Sequence, residues 1–286
     1  HDMDAVILAN FATEHAPYAI KFLDSGRHVC SELMPSQTMA ESVQLVEAVE
    51  RNPKLVYAYA ENVCYFPAVM EMQKLYRQGD IGEFLYAEGQ YLHDCTNIWG
   101  ELTHGRKGHW RNWTPSTFYV THSTGPILSV TGTRPVRISA YETPNVLKRV
   151  GGGLSSDAAV VVCQMDNGAV ATIIPWANMK REPGMQWFSL YGSKGMMETD
   201  RWGDASAALN VYREGEELKH YNPEFRGGLT AEEVNAGHGG ADYFTMQYFL
   251  DAILDKPGKE YVIDVYQALD MTLPGMLGYR SIWEGN

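Results

Sequence analysis

Tyr119 and His122 stand three residues apart in the stretch Phe118-Tyr119-Val120-Thr121-His122-Ser123-Thr124-Gly125-Pro126. If residues 118 to 130 form a helix, that spacing places the phenol and the imidazole on one face. Side by side, the two groups can take a proton from a hydroxyl or a carbon and relay it. Upstream, Tyr91-Leu92-His93-Asp94 ends a long apolar strand. Strand alternation puts Tyr91 and His93 on one side and Asp94 on the other, so His93 reads as a base or a sugar-binding donor and Asp94 as a substrate contact. Trp110 and Arg111, in His109-Trp110-Arg111-Asn112-Trp113, suit stacking on a sugar ring and holding hydroxyls or a carboxylate. The competing reading of Trp110 and Trp113 is ordinary core. His238 lies in Gly237-His238-Gly239-Gly240-Ala241-Asp242, a glycine-rich loop leading into a helix, and such loops line sites more often than cores.

Carboxylates mark a second group. Glu32 and Glu61 each directly follow a short apolar strand, where they can accept hydrogen bonds from ribose hydroxyls or from a substrate. An N-cap or a salt bridge is the alternative for either. Ala9-Asn10-Phe11 follows the first strand and Asn62 adjoins Glu61, so these also belong at a ligand cleft. A metal centre would have to join His93, Asp94, His122 and His238, which no short-range ligand spacing supports; no metal is expected.

The elements that must position these groups fall into two styles. Residues 4 to 80 alternate strands (Asp4–Leu8, His28–Ser31, Leu55–Ala60) with helices (Thr13–Ser25, Met39–Arg51, Pro67–Gln78). That order predicts right-handed βαβ units and a parallel sheet covered on both faces. Gly26 after the first helix and the Thr38/Glu41 pair before the second supply end signals. From Gly82 the pattern becomes longer strands: Glu83–His93, Val136–Glu142, Asp157–Gln164, Ala169–Trp176, Gln186–Tyr191 and Ala208–Arg213. Asp166-Asn167-Gly168 and Gly192-Ser193-Lys194-Gly195 are hairpin signals between them, and an antiparallel sheet follows. Helices over Asp242–Leu254 and Val265–Trp283 close the chain, the second interrupted at Pro274. Gly151-Gly152-Gly153 lacks a strand-to-helix setting and reads as a loop.

Composition narrows the function. The 286 residues are 45% hydrophobic and 20% charged, which describes a globular protein. With 35 acidic against 23 basic side chains the net charge is −12, which disfavours nucleic acid and anionic membrane surfaces as partners. Cys30, Cys64, Cys95 and Cys163 are widely spaced and predict reduced thiols in a cytoplasm. The chain opens on His1-Asp2-Met3 with a buried-strand pattern from Ala5, so either truncation or a preceding segment is expected.

The residues Ala5-Val6-Ile7-Leu8-Ala9-Asn10 through His15, Gly26-Arg27-His28-Val29-Cys30-Ser31-Glu32 and Gly82-Glu83 resemble the Gfo/Idh/MocA family of glucose-fructose oxidoreductases and inositol dehydrogenases. The resemblance spans nearly the whole chain. It implies a Rossmann domain binding NAD or NADP through Ala9, Asn10, Phe11, His15, Glu32, Glu61 and Asn62, joined to an α+β domain whose open sheet builds homodimers or homotetramers. On that pattern residues 1–81 are a partial dinucleotide-binding domain, with the helix over 265–286 packing back. Residues 82–264 form the substrate and oligomerisation domain.

Three departures stand out. Leu33 and Met34 occupy the places of the family's usual Lys and Pro, Phe118 the place of a frequent Asp, and the glycine fingerprint with its acidic ribose ligand is not in this sequence. Glu32 without a following Lys, Tyr91 to Asp94, Trp110-Arg111, Tyr119 to Pro126 and His238 to Asp242 are similar to the family's NAD-dependent glycosidases of the α-N-acetylgalactosaminidase type. There the resemblance implies oxidation at C3 of the sugar, elimination of the glycosidic substituent, water addition and hydride return. Tyr119 would be the base, His122 would assist at the oxidised hydroxyl, and Glu32 would hold the nicotinamide ribose or the sugar.

Three functions follow as expectations. The first is an NAD(P)-dependent oxidoreductase acting on a sugar, polyol or glycoside, with Tyr119, His122 and His93 catalytic and Trp110, Arg111, Asp94 and His238 on the substrate. The second is a glycosidase using the cofactor without net turnover, and the third an inert binding or assembly module.

Overall fold

The computed structural model describes residues 3–146, 156–175, 179–182 and 184–285. The Gly151-Gly152-Gly153 stretch and the expected strand end at Trp176 lie outside them.

In the first third, strand β1 (Ala5–Leu8) is followed by helix α1 (His15–Asp24), β2 (His28–Ser31), α2 (Met39–Arg51), β3 (Tyr57–Tyr59) and α3 (Pro67–Arg77). The strands form a parallel sheet in the order β1-β2-β3, with Leu8 opposite Ser31 and Ser31 opposite Tyr59. Their carboxyl ends therefore lie in line, and the segments beginning at Ala9, Glu32 and Ala60 emerge along one edge.

Local sequence explains the helix ends. The Glu41 amide donates to Thr38 Oγ1 at 3.2 Å while the Thr38 amide donates to Glu41 Oε2 at 3.2 Å, which closes a capping box on α2. Gly26 leaves α1 with a φ of +82°, a conformation other side chains resist. Thr38→Ala is expected to lower unfolding stability by about 1 kcal/mol, read from urea melts, without changing the site.

The remainder is built on an eight-stranded sheet in the order β11-β10-β9-β8-β4-β7-β6-β5. Its strands are β4 (Phe84–Tyr91), β5 (Pro135–Glu142), β6 (Ala159–Met165), β7 (Val170–Ile174), β8 (Gln186–Gly192), β9 (Gly195–Thr199), β10 (Leu209–Arg213) and β11 (Lys219–Tyr221). Every neighbouring pair is antiparallel except β4 with β7. Between β4 and β5 run the short α4 (Trp99–Leu102) and α5 (Thr121–Thr131); α6 (Ala241–Ile253) and α7 (Val265–Glu284) follow β11.

Both hairpin signals hold, with Gly192 opposite Gly195 and Gly168 turning at φ +89°. The strands β9 and β11 are additions to the sequence reading. Pro274 does not interrupt α7, which runs unbroken from an Asp264/Gln267 capping box. The residue is buried, and beside it the Gly275 carbonyl accepts the Thr117 hydroxyl at 2.8 Å. Tertiary packing thus offsets the hydrogen bond that proline removes.

One face of the large sheet carries α5, and the approach is close because β4 has Gly89 there. A Cβ at Gly89 would lie 2.1 Å from the Ser123 carbonyl oxygen of α5. Beside α5, α7 packs on β5, with Gly278 against Ala140, and reaches α2, where the Tyr266 hydroxyl donates to Glu50 at 2.7 Å. A single buried cluster continues from Leu8 and Leu45 through Tyr59 and Val120 to Phe188 and Val211. Among the described residues no helix is long and apolar enough to cross a membrane.

Candidate active site

The site forms where the carboxyl ends of β2 and β3 meet the start of α5 and the end of β4. Its centre is a buried pair. Glu61, directly after β3, has a fully buried side chain (0% exposed), and its Oε1 lies 2.7 Å from Nδ1 of His122, itself 9% exposed. With the carboxylate accepting, Nδ1 carries the proton and Nε2 of the neutral ring is left as the basic nitrogen. This is the arrangement of a general base oriented by an acid. Gly125 makes room for it, since a Cβ there would stand 2.8 Å from Cγ of Glu61 and 3.0 Å from Sγ of Cys64.

Sequence reasoning gave Glu61 to a ribose or a substrate. The structure corrects this for Oε1, which His122 occupies, while Oε2 keeps no partner. Nothing local in the sequence joins residues 61 positions apart, although a glycine inside a helical pattern is a signal of close approach.

Around His122 stand two phenols. The Tyr91 ring centroid is 4.7 Å from that of His122 and the Tyr119 centroid 5.2 Å away. The expected 118–130 helix starts only at Thr121, so Tyr119 meets His122 from the turn before α5 and not from a shared helical face. Phe118 closes that turn by donating its amide to the Pro115 carbonyl at 3.0 Å. Burial pushes the Tyr119 phenol up to about 12, against the pull of the Arg111 guanidinium, so it is protonated at neutral pH. In the free protein it can therefore serve as a proton donor.

His93 is brought to the same group. The Tyr91 hydroxyl and His93 Nδ1 are 2.9 Å apart. Burial, with the neighbouring His122, holds His93 below the usual imidazole range and keeps the ring neutral. Burial also holds the Tyr91 phenol protonated, so the phenol and the neutral imidazole share one proton donor across this contact.

Glu32 is half-buried after β2, and its Oε2 accepts the Leu33 amide at 3.2 Å. Burial raises its carboxyl above the usual range despite that bond, with Glu61 and Asp242 adding to the rise and His122 opposing it. Met34, at the place of the family's usual proline, is 1% exposed, and neither it nor Leu33 can supply the missing lysine's proton. Asn62 donates from Nδ2 to Asp242 Oδ1 at 3.1 Å. Asp242 also binds His238 Nδ1, at 3.0 and 2.9 Å from its two oxygens.

Other expected residues take plainer roles. His15 is buried with its ring between the Met34 carbonyl (2.9 Å) and the Asn10 carbonyl (3.2 Å). It fixes the backbone below the cleft instead of facing a cofactor. Asp94 turns to its own loop, accepting from the Thr96 hydroxyl and amide, and pairs with Lys180 at 3.3 Å. Those bonds and that cation hold its carboxyl low. His238 is largely solvent-exposed, at 63% of its side chain, and touches the site only through Asp242.

Trp110 and Arg111 stack at 4.6 Å, and His109 packs edge-on against Phe11 at 5.0 Å, which brings this segment to the loop after β1. Trp110 is half-buried and Trp113 exposed, so neither is ordinary core. Ala9 and Asn10 lie exposed on that loop. Glu61 Oε2, Asn62 Oδ1, His109 Nε2 and Trp110 Nε1 are buried without a hydrogen-bond partner. Among the described residues no group of three or more His, Cys, Asp or Glu could hold a metal. The four thiols are buried and unpaired, and burial pushes Cys30 and Cys163 up to about 12.

Acid is expected to loosen the fold in a defined window. Burial holds His15, His93 and His109 below the usual imidazole value, so the unfolded chain takes up protons first as pH falls through 6.5. Stability present at pH 7.5 is therefore lost toward pH 5.5. Glu32 works the other way, because a raised carboxyl penalises its ionised form in the fold. Glu32→Gln should accordingly melt higher than wild type at pH 7.5 and lose more on acidification; urea melts at both pH values would check both signs.

No protein-family model matches the chain. Over 98% of its length it is 24% identical to an α-N-acetylgalactosaminidase of Shewanella oneidensis, of which it spans 67%. It is 25% identical to a glycosyl hydrolase family 109 protein of Stenotrophomonas maltophilia, spanning 70% of that protein. Among solved structures, an inositol dehydrogenase homolog from Azotobacter vinelandii complexed with NAD+ superposes with a TM-score of 0.80 at 16% identity, over 99% of this chain and 77% of that one. Levoglucosan dehydrogenase in complex with NADH and levoglucosan gives 0.80 at 18% identity, over 99% and 79%. The chain thus has the fold of the Gfo/Idh/MocA oxidoreductases, with a Rossmann-like first part. Within that fold its sequence is similar to the glycoside hydrolase family 109 branch, as the motifs around Tyr119 and His238 imply.

Proposed function

We propose that the chain oxidises a hydroxyl of a sugar, polyol or glycoside with NAD or NADP, and that His122 removes the hydroxyl proton. The buried Glu61–His122 pair carries this reading. A hydroxyl losing hydride from its carbon must lose its O–H proton as well, and His122, buried and held through Nδ1 by the Glu61 carboxylate, has Nε2 left to take it. Glu61 stabilises the imidazolium that forms.

The residues fit a nicotinamide dinucleotide at the end shown: the unpaired Asn62 Oδ1 and Glu61 Oε2, with Glu32, are acceptors suited to ribose or sugar hydroxyls. When bound, such a cofactor supplies the hydride acceptor. Tyr119, protonated, can donate to the oxygen that develops negative charge, and the neutral His93 ring can hydrogen-bond a neighbouring hydroxyl. Trp110 and Arg111 offer a stacking surface and a cation. The test is NADH appearing at 340 nm when NAD is mixed with myo-inositol or levoglucosan. A protein that binds neither NAD nor NADP by calorimetry sinks the reading and leaves an assembly module.

A second reading is cleavage of a glycoside through transient oxidation. Its support is the similarity to proteins named as α-N-acetylgalactosaminidase and glycosyl hydrolase family 109. Tyr119 beside His122 also provides the second acid-base group that an elimination at a neighbouring carbon requires. Release of p-nitrophenol from p-nitrophenyl α-N-acetylgalactosaminide at constant NADH, dependent on catalytic NAD, separates the two.

The reading includes a cytoplasmic homo-oligomer formed through the sheet face away from α5. Register places Val170, Tyr191 and Tyr212 there, all exposed. Light scattering should give a dimer or tetramer, and a monomer at micromolar concentration would remove this part.

A further inference from the structure

On the face of the large sheet away from α5, two arginines meet with no carboxylate in ion-pair reach. Register fixes the face: Gly89 points at α5, as does its partner Phe188, so Trp187 on β8, paired with Gln90, points the other way. The Arg201 guanidinium lies over the Trp187 ring, 4.2 Å from its centroid. Arg181 reaches the same segment, donating from Nη2 to the Arg201 carbonyl at 2.7 Å and from Nη1 to the Glu182 carbonyl at 3.4 Å. The two stretches run side by side, since a Cβ on Gly184 would stand 3.4 Å from the Gly203 carbonyl oxygen. Among the described residues neither arginine forms an ion pair. Arg181 is pulled below the usual guanidinium range, first by burial and then by the like charge of Arg201. Glu198 and Asp200 face Arg201 only at longer range: burial raises the Glu198 carboxyl, with Arg201 opposing and Asp200 adding to the rise. Two donors complete the group. Arg181 Nε and Trp187 Nε1 are buried without an acceptor, and Trp187 is 5% exposed. Unpaired buried N–H groups and an uncompensated cation are both costly, yet a chain of net charge −12 sets them together.

We infer that Arg181, Arg201 and Trp187 form a binding site for a small free oxyanion, a phosphate, sulfate or carboxylate, held by N–H donors and separate from the catalytic centre proposed above. Guanidinium groups suit such oxygens because their donors lie in a fixed plane and stay charged. The site is tied to the loop that leaves β4. Lys180, next to Arg181, pairs with Asp94 at 3.3 Å, and the Leu92 amide donates to the Met185 carbonyl at 2.7 Å. An anion that fixes Arg181 therefore also steadies the backbone on either side of His93.

The test uses the full chain and inorganic phosphate. Proton–nitrogen NMR reads the Trp187 indole N–H, assigned by its loss in Trp187→Phe. That signal should move as phosphate is added, while chloride at matched ionic strength leaves it in place. Calorimetry should give one phosphate per chain, with affinity down about tenfold in Arg181→Gln and in Arg201→Gln at an unchanged melting temperature. Should either variant fail to fold, Arg181→Lys keeps the charge, loses the Nε donor and should bind more weakly than wild type. A Trp187 signal unmoved by phosphate, or equal affinity in wild type and every folded arginine variant, overturns the site. A signal that follows protein concentration and not phosphate gives these donors to a carboxylate of a second copy and overturns the free-anion reading. Neither measurement needs a nicotinamide cofactor or a sugar, so the result stands whether or not the oxidoreductase reading does.

Discussion

Glu61→Gln is expected to lower kcat by about 10²- to 10⁴-fold and to lower the melting temperature as well. The two halves of this expectation come from the same geometry. A glutamine fills the same space, so the packing against Gly125 and Cys64 is kept. What is lost is one partner of a buried pair, and removing a single partner destabilises. Catalysis suffers more. If the amide presents its oxygen to His122, the imidazolium loses its counter-charge. If it presents its nitrogen, the proton moves to Nε2 and the ring can no longer accept one from a hydroxyl.

His122→Ala should give a loss of similar size, and the double variant should be no worse than either single one, because the pair acts as a unit. Single-turnover rates at saturating NAD would measure all three. Additive losses would show that Glu61 and His122 work separately and would end the base assignment.

Gly89→Ala is expected to cost about 3 kcal/mol or to abolish folding, since its new methyl would overlap a carbonyl oxygen that belongs to backbone. Neither neighbour can yield cheaply. β4 is held on both sides by β7 and β8, and Ser123 is in the first turn of α5 with its hydroxyl bonded to the Ile174 carbonyl at 3.1 Å. Any relief moves α5 off the sheet and carries His122 away from Tyr91, so whatever folds should be nearly inactive. Gly100→Ala is the control. Nothing lies within 4 Å of a Cβ there, and it is helical, so alanine should be neutral or stabilise by up to about 1 kcal/mol. Equal effects of the two substitutions in urea melts would show that the close approach of β4 and α5 does not limit stability.

How far the sequence reveals all this depends on the range of the interaction that fixes each feature. β2 and α2 end where the strand pattern and the Thr38/Glu41 box say, because alternation and capping are written within a few residues. The five residues of β9 and three of β11 carry too short a pattern to stand out, and they form because β8 offers an edge to build on. At the site, Tyr119 and His122 do come together, but through a turn and not along a helix. Glu61 with His122, Asn62 with Asp242, and Tyr91 against His122 are meetings between distant segments. Only the folded sheet order brings them about, and no local pattern could have paired them. His15 misled for the opposite reason: a histidine beside a cleft looks functional until its two carbonyl partners are seen.

The position of α7 bears on how the molecule comes into being. The helix is made after both sheets, yet it packs on β5 of the large sheet and on α2, which follows β2 of the small one. During synthesis the three-stranded sheet emerges early and must wait, with α2 lacking that cover, until some 200 further residues have been added. The growing chain therefore passes a long interval with the apolar surface of α2 and β5 uncovered, until α7 joins the two.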